Sequence, residues 1–206
     1  MARVYEFAGV IPVIDPTAFV HPDAVLIGDV IVGPGCYVAP FASLRGDFGR
    51  IALEAGVNVQ DSCTLHAFPG KATIVELDGH IGHGAILHGC TVRHGALIGM
   101  NAVVMDDAVV GEYAFVGAAS LVKAGFEVPA RSLAAGNPAT TIRPLSEIEL
   151  AWKANGTRVY QRLAQRSLNS LRPAAALAEV EPNRHRVSWE EGTASPLHAL
   201  RKRQPK

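Results

Sequence analysis

The sequence predicts an all-β chain wound as a single-stranded parallel coil, and three observations point there. Large aliphatic residues recur every six positions, as at Val20, Leu26, Val32, Val38 and Leu44. A smaller residue stands two places before each, at Ala18, Ala24, Val30, Cys36 and Ala42. The stretch Gly79–Cys90, GHIGHGAILHGC, keeps the rhythm on a glycine-rich background that gives its imidazoles room. A period of six suits neither a 3.6-residue helix nor a simple alternating hairpin. It fits short parallel strands joined by corners, with small residues where the interior is tight.

Residues 1–17 read as an opening strand and turns, apolar at Tyr5, Phe7 and Val10–Ile14 and punctuated by Pro12, Asp15 and Pro16. The hexads then run to Leu44, pause at RGDFGR, and return at Leu53, Val59 and Leu65, preceded by Ile51, Val57 and Cys63. Residues 67–80, AFPGKATIVELDGH, break the period and are expected to stand off the coil as a loop beside His66 and His83, where a substrate pocket would be shaped. The rhythm resumes at Ile81 and Leu87 and, after one five-residue step, continues through Val92, Ile98, Val104, Val110, Val116 and Val122. Cys36, Cys63 and Cys90 fall on the small inward position and read as buried hydrophobes. Past Val122 the pattern fades through Val128-Pro129, and AGNPA at 135–139 is the expected exit.

Helical spacing follows. Ser146 and Glu149 form a capping box, Ile148 and Trp152 an apolar stripe, and a second helix after Gly156 uses Tyr160, Leu163, Leu168 and Leu171. The expected organisation is a coil over 1–140, a helical segment over 141–172, and an extended or disordered tail over 173–206, rich in Pro, Glu, Arg and Lys.

Composition narrows the function classes. Nineteen Lys and Arg balance nineteen Asp and Glu, so nothing global calls for nucleic acid or an anionic membrane. Small molecules or copies of the chain are the expected partners. No apolar run approaches the roughly 20 residues of a spanning helix, the N-terminus lacks a signal-peptide core, and three cysteines argue against a disulfide framework. The expected compartment is the cytoplasm.

The candidate chemistry lies with the histidines. His66 directly follows inward Leu65 and His88 follows inward Leu87, which gives both the same kind of corner, one coil turn and the loop apart. With His83 they make three imidazoles in phase with the repeat. Three protein ligands and an open position is the pattern of a catalytic metal. His80 and His94 do not follow inward residues in this way and are expected to support the ligands from behind or to lie at the surface; His21, His185 and His198 are assigned nothing. A polar cluster, Arg45, Asp47, Asn58, Gln60 and Asp61, occupies comparable positions nearby. It could form an Arg–Asp pair that ties coils or subunits together, orient a metal-bound water, or do both.

SLRGD at 43–47, NVQDSCTLH at 58–66 and IGHGAILHGC at 81–90 together resemble the γ-class carbonic anhydrase branch of the hexapeptide-repeat proteins over roughly residues 10–140. The resemblance implies a left-handed β-helix, a homotrimer, and one divalent metal at each subunit interface, Zn first with Fe or Co also suited. His66 and His88 of one subunit and His83 of its neighbour would be the ligands. Arg45 and Asp61 would form an intersubunit ion pair, with Asn58 and Gln60 near the metal-bound water. RGDFGRI, LHAFPG and LSEIELAWKANGTRVYQ extend the likeness to the branch serving phenylacetic acid degradation and its carnitine-pathway relatives. That implies a metal-dependent thioesterase acting on acyl-CoA, with CO₂/bicarbonate interconversion, acyl transfer and a non-catalytic metal-tied trimer as alternatives. No acidic loop follows RGD; Glu76 is the nearest substitute for a proton-transfer carboxylate, and Tyr160 is a candidate to approach from the helix.

Overall fold

Inward-facing aliphatic side chains stack along one axis in the computed structural model, which describes residues 2–189 and 194–201. Every large hexad residue from Leu26 to Val122 is shielded from solvent, and Val20, on the open first turn, is half-buried. The small positions from Ala18 to Ser120 are buried beside them. The chain is a left-handed parallel β-helix of about seven turns, its hand opposite to that of ordinary β-crossover connections. Phe19 pairs with Tyr37 and Leu97 with Phe115, eighteen residues on, so three hexads complete a turn.

Three faces result. The first stacks Thr64–His66, Ile86–His88, Val103–Val104 and Leu121–Val122. The second stacks Ala72–Val75, Thr91–Val92, Val109–Val110 and Glu127–Val128. The long strand Ser43–Leu53, which carries RGDFGR, bends from the first to the second. The third runs from Phe19–Val20 through Tyr37–Val38, Asn58–Val59, His80–Ile81, Leu97–Ile98 and Phe115–Val116 to Ser132–Gly136.

Three expectations need correction. The excursion is confined to residues 67–71, because Ala72–Val75 is a strand paired with Arg50–Leu53 and with Thr91–Val92. Val75 is inward and six before Ile81; Thr73 in the small position, equally buried, disguised that hexad. The coil also does not fade after Val122: Val128 and Ala134 are buried on two further hexads. AGNPA is the turn of an antiparallel hairpin between Ser132–Gly136 and Ala139–Pro144. Finally, one helix replaces two. Helix α1, Glu147–Ser170, runs through Gly156 and starts at the expected capping box of Ser146 and Glu149. An isolated helical glycine costs about 1 kcal/mol, which the packing of α1 on the third face offsets.

Residues 190–193 and 202–206, part of the expected tail, lie outside the described residues. Within the rest of it, Leu197–Arg201 forms a short helix α2, and the Ser195 carbonyl accepts a bond from the Trp152 indole at 2.8 Å. Among the described residues no helix is long and apolar enough to cross a membrane.

Candidate functional site

Strands Thr64–His66 and Ile86–His88 pair in register, so His88 sits directly over His66. Nδ1 of His66 lies 3.0 Å from Nε2 of His88. The outer nitrogen of each ring meets a carboxylate: His66 Nε2 is 3.2 Å from Asp47 Oδ1, and His88 Nδ1 is 2.7 Å from Asp106 Oδ1. A neutral imidazole carries a single N–H. With those protons directed at the carboxylates, the inner nitrogens present two facing lone pairs, a donor set that suits a cation.

The backbone around this pair is built for it. The Thr73 hydroxyl donates to the His66 carbonyl at 2.6 Å and accepts from the Gly89 N–H at 2.8 Å, clamping the two turns together. Gly89, at φ +56°, leaves room for Asp106: a Cβ there would lie 2.5 Å from its Oδ1. Gly46 passes so close to Asp29 that a Cβ would meet its carbonyl oxygen at 2.4 Å, which fixes Arg45 and Asp47 on either side. Arg45 then grips Asp47 through Nη1, at 2.7 and 3.0 Å from the two oxygens. Burial raises the Asp47 carboxyl, but the hydrogen bond and charge of Arg45, with a backbone bond and the His66 bond, together hold the group below its usual range. Burial first, then the Arg45 charge, lowers the His66 imidazole and favours its neutral, ligating form.

His83 stands at another corner, where its Nδ1 meets Asp61 Oδ2 at 2.6 Å and both side chains are about half exposed. Within one chain, among the described residues, no three His, Cys, Asp or Glu side chains gather as a metal site. Arg45 and Asp61 do not pair with each other in the chain; each has the partner just named. Asn58, Gln60 and His80 form one network on the third face. His80 lies 3.2 Å from the Asn58 amide and 2.7 Å from the Gln60 amide. Gln60 also bonds Asn58 Oδ1 and accepts from the His83 N–H. Burial, with the charges of Lys153 and His83, pushes the His80 imidazole down to about 3, so it is neutral at any ordinary pH.

Carnitine operon protein CaiE of Salmonella newport is 56% identical to this chain over 183 residues, covering 89% of this chain and 92% of that protein. The chain belongs to the CaiE family. A Bacillus cereus structure provisionally termed an acetyltransferase is 36% identical with a TM-score of 0.81, over 82% of this chain and 98% of its own. A hexapeptide transferase family protein from Anaplasma phagocytophilum is 35% identical with a TM-score of 0.77, over 80% and 97%. No protein-family model matches the chain.

In this CaiE-family chain several site residues escape a linear reading. Asp106 follows His88 by eighteen residues, a spacing that means proximity only once the turn length is known, and Asp47, already singled out, owes its contact with His66 to the same stacking of turns. His80, expected to support the ligands from behind or to lie at the surface, holds Asn58 and Gln60 from behind. Phe48 and Phe68 stand against His66 and His88, with ring centroids 5.4 and 4.8 Å away, and both are more than half exposed. They come from the two insertions, which lock together where a Cβ on Gly49 would lie 2.8 Å from the Phe68 carbonyl oxygen. Glu76, by contrast, is committed elsewhere, 2.6 Å from Arg93 and accepting the His94 N–H at 3.0 Å. Tyr160 does reach the network: its ring is edge-on to His80 at 5.3 Å.

Proposed function

We propose that the chain is a metal-dependent thioesterase hydrolysing acyl-CoA esters of phenylacetate degradation, working as a cytoplasmic homotrimer. His66 and His88 of one subunit and His83 of the next would hold one divalent metal, Zn²⁺ foremost, with Fe²⁺ or Co²⁺ also matched to imidazole donors. The observation that carries this reading is the 3.0 Å approach of His66 Nδ1 to His88 Nε2 with both outer nitrogens held by carboxylates. When bound, such a metal activates water and polarises a thioester carbonyl. The half-exposed His83 in its own corner, and the in-chain separation of Arg45 from Asp61, favour a site completed between copies.

The chain's own residues then have definite tasks. Asp47 and Asp106 fix the tautomer and direction of the two imidazoles, and Arg45 fixes Asp47. Neutral His80 holds Asn58 and Gln60, whose amides border the His83 corner and can orient a water or an acyl oxygen. Phe48 and Phe68 shield the histidine pair from bulk solvent. The phenylacetate assignment rests on the resemblance carried by RGDFGRI and LHAFPG; the carnitine-operon name of the relatives makes carnitine-linked esters the companion substrates to assay.

Acyl transfer is the second reading, favoured by the His88–Asp106 contact at 2.7 Å, which could prepare Nε2 as a general base. One experiment separates them: CoA-thiol release by the metal-loaded protein on phenylacetate-pathway and carnitine-linked CoA esters, beside a CO₂-hydration assay. Release without an acceptor, lost on chelation and in His88→Ala, is the expected result. Release that survives chelation and requires an amine or hydroxyl acceptor would replace hydrolysis with transfer, and hydration without release would make the protein a carbonic anhydrase.

A further inference from the structure

The third face differs from the others in what it turns outward. In the register of its ladder, Phe19, Tyr37, Asn58, His80, Leu97, Phe115 and Leu133 form one outward column. Helix α1 packs on the lower rungs, at Phe19–Val20, Tyr37–Val38 and Asn58–Val59. Over the upper rungs a cavity of about 730 Å³ opens between helix and sheet, within the range of small-molecule sites. Leu97, Phe115 and Leu133 floor it; Trp152, Val159 and Tyr160 wall it from the helix. Gln60, His80 and His83 line its lower end, and Lys153, Asn155 and Ser195 add polar groups from the helix and the segment after it. At that rung and above, Gly82, Gly99 and Gly117 keep the edge of the floor flat; a Cβ on Gly99 would lie 2.5 Å from the Ala118 nitrogen.

We infer that this cavity binds the acyl part of the substrate and that it takes a ring-bearing, apolar acyl group, its carboxyl carbon directed towards Gln60 and His83. A flat floor with the aromatic rings of Phe115, Trp152 and Tyr160 around it matches the faces and edges of a six-membered ring. Gln60, His80 and His83, together on the sheet side of the lower end, give the polar end of the group its seat. The direction of the carboxyl carbon rests on the thioesterase reading; occupancy of the cavity by a ring does not.

The chain's two tryptophans, Trp152 and Trp189, both line the cavity, so intrinsic fluorescence reports on it without any turnover. Gly156 also lines it, and a Cβ there meets nothing within 4 Å. Phenylacetate and cyclohexanecarboxylate are expected to change the tryptophan emission saturably and acetate to leave it unchanged. Gly156→Leu should weaken ring-acid binding at least tenfold while Gly156→Ala leaves it intact, with a folded melting curve for both. If Gly156→Leu does not fold, Val159→Phe fills the same space. No saturable change, equal binding of hexanoate and the ring acids, or wild-type binding by the filled variant would overturn the inference. Ring acids that bind to a protein unable to cleave their CoA esters would remove the thioesterase reading and leave the cavity's ligand standing; cleavage without ring-acid binding would do the reverse.

Discussion

Asp106 approaches Nδ1 of His88 at 2.7 Å from the next turn of the coil, on the side of the ring away from His66. A carboxylate in that position fixes which nitrogen of the imidazole is free to ligate. Asp106→Asn keeps the shape and removes the charge. Metal affinity, measured by competition with a chelator, should fall about 10- to 100-fold, with thiol release falling in step and the melting curve little changed.

The stacked aliphatics make the coil rigid and intolerant of voids. Ile98 has no solvent exposure and touches other turns on both sides of its rung. Ile98→Ala should cost about 2–5 kcal/mol, read as a lower urea midpoint.

Lys153 is buried on the inner side of α1, where its ammonium donates to the Asp78 carbonyl at 2.5 Å. Burial pushes its pKa down from 10.5 to about 8. Below pH 8 the folded and unfolded chains both carry the proton and the full cost of burying the charge is present. Between pH 8 and 10.5 the folded form releases it while the unfolded form keeps it, so this group's contribution to stability rises with pH. Wild type should therefore gain relative to Lys153→Met across that window in paired urea titrations; a flat difference would refute the assignment.

Burial raises the thiols of Cys36, Cys63 and Cys90 to about 12, 11 and 12. All three should resist a thiol reagent at pH 8 in the native protein and react together on unfolding.

Much of this architecture is legible in the residues because neither a helix nor a hairpin places an inward side chain at every sixth position. Leu65 and Leu87 fix the rung, and His66 and His88 follow from it. Thr73 shows the limit: its methyl packs like a small aliphatic while its hydroxyl clamps the His66 turn, and by type alone it hides a hexad. The face beneath α1 carried a signal too, since the residue just ahead of every third inward position is large and apolar at Phe19, Tyr37, Leu97 and Phe115, interrupted by Asn58 and His80. Phe48 and Phe68 carried none. They arise where the period stops, and only the closure of the two insertions on each other brings them to the histidines. Gly156 misled in the other direction, since tertiary packing holds a helix straight through it.

The hairpin that closes the third face has a further consequence. A parallel solenoid has two ends, each a ring of unpaired backbone donors and acceptors ready to accept another strand. At the upper end the chain doubles back, and Ala139–Pro144 occupies the bonding edge of Ser132–Gly136 in the antiparallel sense. An antiparallel lid cannot serve as the first rung of a copy stacked in the same direction. On that face the last few residues of the β-domain thus block stacking of a further copy, and a chain cut before Ala139 would expose Ser132–Gly136 beside the open edges of the other two faces.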